Sequence, residues 1–522
     1  MRDLKQREGW GVGAVLLLGL TLRLVNLGGR TLWYDEAFAV LYAEKPLAQM
    51  IYGTVARVGG AAADVHPLFY YFSLHYWMAL FGQSEVAVRL LSVLLGTATI
   101  GLSYLLARHL FDGRVGLAAA LVTAVSPFHV HYSQEARMYA LLSFASLLTA
   151  WLFARAWSAH GWRSWLPVGV AGALTLYAHN LGFLNVVALD LWTLWAWFRP
   201  GGRRWRHWRG LAVAHALMLL LFFPWLVLVP SQFGKIQQAY WVQRPGPVEI
   251  VQTVAFFHFN LPLQPWLMPV AVVLSFMLLV MVMFECWRAR GKGQRAGSHL
   301  SLKVGEEAFL SLPLFLFLVP PVTLFLISQI RPVYIVRGLL PSALAYYLLF
   351  AAVFVRGRMP RAIRMGLLAS AAVVVALALP FHYTYARFPR PPFDEAVTYL
   401  QENYQPGDAI VHDNKLTFFP CHYYDRELPQ AFMADRPGSG SDTLALPTQQ
   451  ALGLLASRTM EEATAGSRRV WFVIFQRAFA EYEELGYSQP PHKAWLEARF
   501  RPVAVKSFND LDVYLYEGKR QD

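Results

Sequence analysis

Charged residues are scarce in this sequence, and their scarcity decides its class. Only 15% of the 522 residues are Asp, Glu, Lys or Arg, whereas 56% are hydrophobic. A typical soluble domain carries about 25% charged residues. A soluble fold of this size could not shield so many apolar side chains from water. The composition therefore predicts an integral membrane protein with several spanning helices, and it excludes disordered, collagen-like and disulfide-scaffold proteins.

Two further absences narrow the function. Cysteine occurs only at Cys286 and Cys421. These lie in different regions of the chain, so we expect neither a disulfide between them nor a cysteine-based metal site. The sequence also contains no glycine-rich phosphate loop, no His-Glu-x-x-His motif and no nucleophile elbow. Transport driven by ATP hydrolysis is therefore unsupported.

The net charge of +13 is unevenly distributed. Residues 1–388 carry a net charge of +18, and residues 389–522 carry −5. The basic part is also the apolar part, whereas a nucleic-acid-binding protein places its basic patch on a soluble fold. The positive residues sit in short loops between apolar runs, as they do on the cytoplasmic side of a membrane. We therefore expect a membrane partner and no nucleic acid.

A bilayer core of about 30 Å needs about 20 apolar residues per helix, and eleven apolar segments are interpreted as spanning helices. The predicted spans are residues 10–27, 86–107, 115–130, 138–155, 166–179, 181–198, 211–230, 266–286, 309–328, 337–355 and 365–381. Most Lys and Arg residues between them fall in the segments 1–9, 108–114, 156–165, 199–210, 287–308 and 356–364. Because positive loops remain inside, we predict a multi-pass protein of the cell (inner or plasma) membrane. Its N-terminus is expected in the cytoplasm and its C-terminal part outside.

Two regions outside the spans have distinct characters. Residues 28–84 form a long first external loop rich in aromatic residues, which settle at the lipid headgroup level. We expect interfacial helices there. Residues 389–522 lose the long apolar runs and alternate strand and helix patterns, which predicts a small extracytoplasmic α/β domain. The fold class is thus an α-helical polytopic membrane protein with two domains, residues 1–388 and 389–522.

An acidic pair, Asp35 and Glu36, follows the first predicted span. Carboxylates at the edge of an apolar layer are costly unless they are used or paired. A carboxylate near a reacting hydroxyl can act as a general base. The structural alternative is that Asp35 caps an interfacial helix starting at Glu36. Further along the loop, His66 follows Asp64, and it is either a ligand for a metal or phosphate or an ordinary interface histidine.

The densest polar cluster is residues 126–139, in an external loop between two spans. Arg137 is expected to open the fourth helix, where its planar fork suits a phosphate. Snorkelling to lipid headgroups and pairing with Glu135 are the alternatives. Arg337 and a neighbouring arginine flank a short external turn, on the side of the membrane where Lys and Arg are otherwise rare. Their position favours binding of an anionic partner or of lipid headgroups. Asp190 lies within a span and is functional by default, or neutral and hydrogen-bonded between helices.

Several of these segments together resemble the bacterial GT-C glycosyltransferases of the protein O-mannosyltransferase and aminoarabinose-transferase type, a family-39-type group similar to dolichyl-phosphate-mannose-protein mannosyltransferases. The matching segments are residues 30–36 (RTLWYDE), 66–71 (HPLFYY) with the LFGQSEVAVRLLS run after it, 132–139 (YSQEARMY) and 336–341 (VRGLLP). In the last segment Gly338 stands where the family has an aromatic residue. The resemblance covers about residues 10–380.

The resemblance implies an inverting transfer of a sugar from a polyprenyl-phosphate-linked donor, on the extracytoplasmic face, to a lipid, glycan or protein acceptor. Asp35 carries over as the general base or as a carboxylate that orients the acceptor, with Glu36 as a second catalytic candidate. Arg137 carries over as the ligand of the donor phosphate. The supporting substrate-binding candidates are His66, Tyr132, Glu135, Tyr139 and Arg337. Some relatives bind a divalent metal near the first external loop and others need none, so a metal there stays open.

Two other functions remain possible on the sequence alone. A transporter or flippase of lipid-linked sugars would use Asp190, Arg89 and Arg137 along a central pathway, although the broken helices and inverted repeats typical of transporters are not evident. A structural assembly partner would use the C-terminal domain for docking, but it leaves the acidic pair unexplained.

Overall fold

The computed structural model of the chain describes residues 2–59, 61–198, 207–238, 242–260, 262–290, 306–435 and 444–519. The basic stretches 199–206 and 291–305, on which the predicted orientation partly depends, lie outside the described residues. The α-helices in chain order are α1 (Arg2–Leu24), α2 (Tyr34–Ala43), α3 (Leu47–Val55), α4 (Phe69–Phe81), α5 (Glu85–Leu110), α6 (Gly113–Val125), α7 (Pro127–Ser133), α8 (Tyr139–Ser158), α9 (Leu166–Ala178), α10 (Phe183–Phe198), α11 (Trp208–Leu226), α12 (Val229–Gln238), α13 (Pro247–Phe259), α14 (Met268–Arg290), α15 (Glu306–Ile330), α16 (Leu340–Arg356), α17 (Arg361–Thr384), α18 (Phe393–Asn403), α19 (Lys415–Tyr424), α20 (Leu446–Leu452), α21 (Met460–Ala463), α22 (Arg477–Glu484) and α23 (Pro491–Arg499).

Short 3₁₀ turns and strands complete the described elements. The 3₁₀ turns are Trp162–Trp165, Asn180–Gly182 and Val336–Leu339. The strands are β1 (Arg57–Val58), β2 (Ala61–Ala62), β3 (Ala409–His412), β4 (Gln430–Phe432), β5 (Arg469–Phe475), β6 (Phe500–Phe508) and β7 (Leu511–Gly518).

The chain divides into two compact units. The helical unit comprises residues 1–25, 89–230 and 242–383, and the mixed unit comprises residues 26–88, 231–241 and 384–522. Sequence composition placed the domain boundary at 388/389. The structure differs in one respect, because the first loop groups with the C-terminal residues. This grouping arises from contacts between residues more than 300 positions apart, which the composition does not report.

Helices of membrane-spanning length dominate the helical unit. Among the described residues, eight helices are long and apolar enough to cross a membrane, and the count is nine if α6 and α7 form one bent span. The two other predicted spans, residues 10–27 and 166–179, coincide with α1 and α9. The fold class is therefore confirmed. The predicted third span, residues 115–130, is not straight, since it bends by 62° between α6 and α7.

The core of the helical unit lies around α16. This helix is almost entirely buried and packs against α6, α8, α14 and α15. A helix that is apolar on all sides is expected at such a central position. In contrast, α17 exposes most of its apolar surface, as a lipid-facing helix does.

The mixed unit is built on a five-stranded sheet with the order β4-β3-β5-β7-β6. Strands β4, β3 and β5 are parallel, whereas β7 runs antiparallel to both β5 and β6. One apolar cluster on the sheet includes Phe393 and Trp471, and another includes Val470 and Phe472. Because neighbouring side chains of β5 alternate between the two clusters, both faces of the sheet are covered. The predicted small α/β domain is confirmed.

The first loop is folded into helices that pack on the C-terminal residues. Helix α2 contacts α4 and α19, and α3 contacts α20. Helices were predicted for this loop, and they are present. Helix α2 is buried from Glu36 to Ala43, while α4 exposes Phe69, Tyr76 and Phe81. The position of these helices along a membrane interface stays a prediction.

His412, at the end of β3, is a buried polar anchor of the sheet. Its Nε2 lies 2.9 Å from Oε1 of Gln430 on β4, and its Nδ1 lies 3.1 Å from the Thr417 hydroxyl. Burial lowers the pKa of His412 to about 3, although the Gln430 hydrogen bond raises it. The folded domain therefore requires the neutral imidazole.

We expect the sheet to weaken in acid through His412. The folded-state pKa lies below the unfolded value, so this stabilisation is complete above pH ~6.5 and is lost as the pH falls towards ~3. Opening of β3 and β4 should become easier by on the order of 2 kcal/mol between pH 7 and pH 4.5. Hydrogen exchange of residues 409–412 and 430–432, corrected for intrinsic rates, measures this.

His412→Gln should remove most of that pH dependence, whereas His160→Gln, at an exposed position, should leave it unchanged. A His412→Gln protein that retained the parental pH dependence would contradict this account.

Candidate functional site

Arg23, near the end of α1, holds the bend between α6 and α7. The residue is completely buried. Its guanidinium donates to the carbonyls of Ala124 and Thr123 at 3.0 and 3.2 Å. The same group lies 2.6 Å from His129 Nδ1 and 3.1 Å from Ser133 Oγ. Carbonyls at a helix C-terminus lack intrahelical partners and attract a cation. The single side chain of Arg23 therefore donates to the carbonyls that end α6 and also contacts two side chains of α7.

A chain of hydrogen bonds runs from α7 to α17. Glu135 Oε1 lies 3.1 Å from His131 Nε2, and the two Nδ1 atoms of His131 and His382 lie 3.1 Å apart. His382 Nε2 lies 3.0 Å from Gln134 Oε1. The Gln134 amide nitrogen donates to two backbone carbonyls at the end of α1, at 3.0 and 2.8 Å. This arrangement fixes the segment that leads into α8.

The proton count of this chain follows from its geometry. Because the Gln134 amide nitrogen donates to carbonyls, its oxygen must accept from His382. Three hydrogen bonds then join Gln134, His382, His131 and Glu135, and each needs one proton. Two neutral imidazoles supply two. The third proton resides on Glu135 or on one imidazole.

Aromatic and cationic side chains gather beside the start of α8. The ring centroids of Tyr132 and Tyr139 lie 5.2 Å apart, and those of Tyr139 and His179 lie 5.8 Å apart. The Arg337 guanidinium lies 5.3 Å from the Tyr139 ring centroid. Three of the predicted substrate-binding residues, Tyr132, Tyr139 and Arg337, are thus brought together. A cation above an aromatic face is an attractive arrangement that also orients the guanidinium.

Arg137 precedes α8 and lies within the protein. Only 4% of the residue is exposed, and its backbone N–H donates to the Glu135 carbonyl at 2.8 Å. The helix begins at Tyr139, two residues later than predicted. The free backbone N–H groups of a helix N-terminus attract anions. A buried guanidinium at that position is suited to binding an oxyanion such as phosphate. Its burial argues against the alternative that Arg137 extends to the lipid headgroups.

Asp190 has a partner within the helical unit. Its two carboxylate oxygens lie 3.1 and 3.2 Å from Nε2 of His215 on α11. The His215 Nδ1 lies 2.9 Å from the Leu211 carbonyl and therefore carries a proton. The contact to Asp190 needs one more proton, which lies between His215 Nε2 and the carboxyl group. This geometry supports the alternative of a hydrogen-bonded carboxyl between helices.

Asp35 and Glu36 have different environments although they are neighbours. Helix α2 begins at Tyr34 with Trp33 as its N-cap residue, so the expectation that Asp35 caps a helix starting at Glu36 is wrong. Asp35 is half-buried in the first turn. Glu36 is completely buried, with its Oε2 2.6 Å from Nη1 of Arg390. The buried ion pair gives Glu36 a structural partner and leaves Asp35 as the more accessible carboxylate.

His66 is oriented by Asp64. The Asp64 carboxylate accepts from His66 Nδ1 at 2.8 Å and from the backbone N–H groups of Val65 and His66. Burial tends to raise the pKa of Asp64, but the positive charge and the hydrogen bonds of His66 outweigh it and lower the pKa to about 2. Asp64 is thus an ionised acceptor that holds the ring of His66. An oriented imidazole with its Nε2 directed away from the carboxylate is suited to hydrogen-bonding a substrate.

The acidic and histidine residues of the first loop do not fit a metal site. Glu36 is engaged by Arg390, and Asp64 is engaged by His66 and two backbone N–H groups. Within the described ranges, no group of three or more His, Cys, Asp or Glu side chains could hold a metal ion.

Sequence reasoning missed several residues that organise the helical unit. Arg23 is a cation inside a predicted span, which is itself a signal of function or pairing. His131 and Gln134 fall within the polar cluster at residues 126–139, but nothing in the sequence connects them with His382, because a lone histidine at the end of a span is common. Only the spatial meeting of α7 with α17 makes them a network.

Comparison with known proteins bears on part of the chain and on the fold. Residues 65–228 match the model of the dolichyl-phosphate-mannose-protein mannosyltransferase family. This stretch contains His66, Tyr132, Glu135, Arg137 and Tyr139. No curated protein matches the chain.

Solved structures match over nearly the full length. ArnT from Cupriavidus metallidurans in the apo state is 14% identical with a TM-score of 0.62, covering 97% of this chain and 98% of that chain. The same protein bound to undecaprenyl phosphate gives a TM-score of 0.59 at 14% identity, covering 98% of both chains. The Archaeoglobus fulgidus oligosaccharyltransferase in the apo form gives 0.56 at 12% identity, covering 99% of this chain and 75% of that chain.

This chain is a membrane protein with the GT-C fold. The resemblance inferred from its motifs is confirmed, by the family model over residues 65–228 and by the fold over nearly the whole chain. At these identities the structural matches establish the GT-C fold and leave the roles of individual residues to be tested.

Arg23→Met should destabilise the helical unit strongly. The change leaves the carbonyls at the end of α6 without their donor, and each buried unsatisfied group costs about 1–3 kcal/mol. The melting temperature of the purified protein in detergent should fall clearly. Arg155→Met, at an exposed position on α8, is the matched control and should change it little. Equal melting temperatures for Arg23→Met and the parental protein would show that the bend does not need this cation.

Proposed function

We propose that this protein is an inverting glycosyltransferase that moves a sugar from a polyprenyl-phosphate carrier to an acceptor on the extracytoplasmic face of the membrane. The observation that carries the proposal is the position of Arg137. It is buried at the start of α8, and it lies in the stretch that matches the mannosyltransferase family model. ArnT, which shares the fold, has been captured with undecaprenyl phosphate. That structure supports a polyprenyl-phosphate carrier for this chain.

The proposed reaction is a single displacement at the anomeric carbon. An acceptor oxygen forms the new bond to that carbon while the bond from the carbon to the phosphate oxygen breaks. The electron pair leaves with the phosphate, and the acceptor proton passes to the Asp35 carboxylate. Inversion follows because attack and departure occur on opposite faces of the sugar. Asp35 suits this role because it is a half-buried carboxylate in the first turn of a buried helix.

Arg137 is proposed to balance the charge that develops on the departing phosphate. A phosphate is a good leaving group, so a fixed cation can replace a general acid. A guanidinium offers two parallel donors to phosphate oxygens. Tyr132, Tyr139 and Arg337, gathered beside the same helix start, would hold the sugar and the carrier head. His66, fixed by Asp64, would hydrogen-bond the donor or the acceptor.

The orientation is part of the proposal. The segments richest in Lys and Arg join the predicted spans on one side, and this distribution supports a cytoplasmic N-terminus. The first loop and the C-terminal domain would then face outwards, where a carrier lipid presents its sugar. The identity of the sugar and of the acceptor is a matter for assay.

Asp35→Asn should reduce sugar transfer by about 10²- to 10⁴-fold, because an amide cannot accept the proton. Transfer is measured with a panel of undecaprenyl-phosphate-linked hexoses and pentoses, as release of undecaprenyl phosphate in the presence of a membrane extract that supplies acceptors. Asp394→Asn, at an exposed position on α18, is the control and should retain parental activity. If folded Asp35→Asn protein turned over at the parental rate, the assignment of the base would be wrong.

Arg137→Met should weaken binding of undecaprenyl phosphate by about 10- to 100-fold, since a charge-assisted hydrogen bond contributes about 1.5–3 kcal/mol. Arg137→Lys retains the charge but not the fork, so its affinity should lie between those of the other two proteins. Binding is measured by titration of the purified protein in nanodiscs. Unchanged affinity in Arg137→Met would remove this residue from the donor site.

A further inference from the structure

The C-terminal part of the chain reaches the acidic pair through one buried ion pair. Arg390 and Glu36 are 4% and 0% exposed, and their Nη1 and Oε2 atoms lie 2.6 Å apart. The same Nη1 also donates to the carbonyl of Thr31 at 3.1 Å. Arg390 therefore binds both the side chain in the first turn of α2 and the backbone that leads into it.

Neighbouring contacts hold the same segment from the C-terminal side. The Thr31 hydroxyl donates to the Pro391 carbonyl at 2.8 Å, and the backbone N–H of Leu32 donates to the Tyr424 hydroxyl at 3.0 Å. The Tyr34 ring packs edge-on against Phe419 at 5.6 Å. All of these contacts lie within the mixed unit. They join residues 31–36 to residues that follow 350 or more positions later.

The start of α2 has no side-chain cap of its own. Its N-cap residue is Trp33, which makes no capping hydrogen bond. Successive helical residues point about 100° apart around the axis. Fixing the Glu36 side chain therefore fixes the rotation of the helix, and with it the direction in which Asp35 points. A buried ion pair often adds little stability compared with apolar groups of similar size. The main effect of the Glu36–Arg390 pair is therefore expected to be on the orientation of the first turn of α2.

We propose that Arg390 is a positioning residue for the general base, acting on Asp35 through Glu36. The inference rests on the proposed role of Asp35. It gives the C-terminal domain a part in catalysis, because this domain supplies the guanidinium that orients the Asp35 carboxylate. The plain alternative is that the pair only holds the fold together. The two readings differ in whether the turnover of folded protein changes.

Two variants of the full chain separate these readings. Arg390→Lys keeps the charge but replaces the planar guanidinium, whose Nη1 donates to both Glu36 and Thr31, by a compact ammonium on a flexible stem. The double variant Glu36→Gln with Arg390→Met removes both charges at once, so no unpaired ion is left buried. Each should lower kcat by about 10- to 100-fold, since small misplacements of a catalytic group have effects of this size. The KM for the undecaprenyl-phosphate-linked donor should change by no more than about threefold.

Arg426→Met is the matched control. Arg426 Nη1 lies 2.7 Å from Glu44 Oε2, so it also joins the first loop to the C-terminal residues. Glu44 is the C-cap of α2, nine residues from Asp35, or about 13 Å along the helix axis. Its loss should leave kcat at the parental level. Melting temperatures measured in parallel identify any variant that fails to fold.

A double-mutant cycle on kcat distinguishes positioning of Asp35 from a purely structural role, because only positioning makes the effect of Arg390 depend on Asp35. If Arg390 acts through Asp35, Arg390→Lys should cause no further loss of kcat in an Asp35→Asn background. An equal loss in both backgrounds would overturn the proposal, as would parental kcat in both Arg390 variants. Failure of the proposed function has a different signature, which is parental activity in Asp35→Asn alone.

Discussion

A charge that leaves water must find a partner, and this requirement shapes both units of the molecule. Isolated ions in an apolar environment are too costly to persist. Arg23 is buried against carbonyls and His129. Glu36 is buried against Arg390, and Asp190 meets His215. In each case the partner comes from a different helix or a distant segment, so satisfying the charge also fixes one element against another.

The same requirement explains how two adjacent carboxylates acquire different roles. Glu36 is completely buried and tied to a guanidinium, which makes it an acceptor that cannot readily leave its place. Asp35 is half-buried on the same turn, and its N-cap neighbour makes no side-chain hydrogen bond to the helix. Environment rather than residue type separates carboxylates by function in many active sites. Here it separates a fully buried, ion-paired carboxylate from a half-buried one.

The sequence predicted much of the fold because the membrane constrains it. A spanning helix needs a long apolar run, so the predicted spans correspond to helices almost throughout. The alternating strand and helix patterns predicted for residues 389–522 include β3, a short apolar run after a Pro-Gly-Asp turn. In contrast, α19 and β4 give no clear signal in the sequence. Helix α19 contains Pro420 and β4 has only three residues, so neither produces a periodic signal.

The candidate site was predictable in its residues but not in its contacts. Tyr132, Tyr139 and Arg337 came from motif resemblance, and they lie together in the structure. The bend at Ser126 was not foreseen. Pro127 at the first position of α7 allows that bend, but Arg23, a hundred residues earlier, stabilises it. Pairing over such separations leaves no local trace, because local patterns report on a residue's neighbours along the chain alone.

The long-range contacts of α2 also show how the first loop and the end of the chain depend on each other. The first loop and residues 384–522 share one compact unit, and the buried face of α2 packs on α19. Residues 389–522 are not an independent addition to the fold. Without them, Glu36 would still be a buried carboxylate but would lose the guanidinium of Arg390 that pairs with it. A carboxylate in that state would be neutral or would turn towards water, and the first turn of α2 would lose the contact that holds it. The acidic motif is therefore complete only when the end of the chain has folded around it.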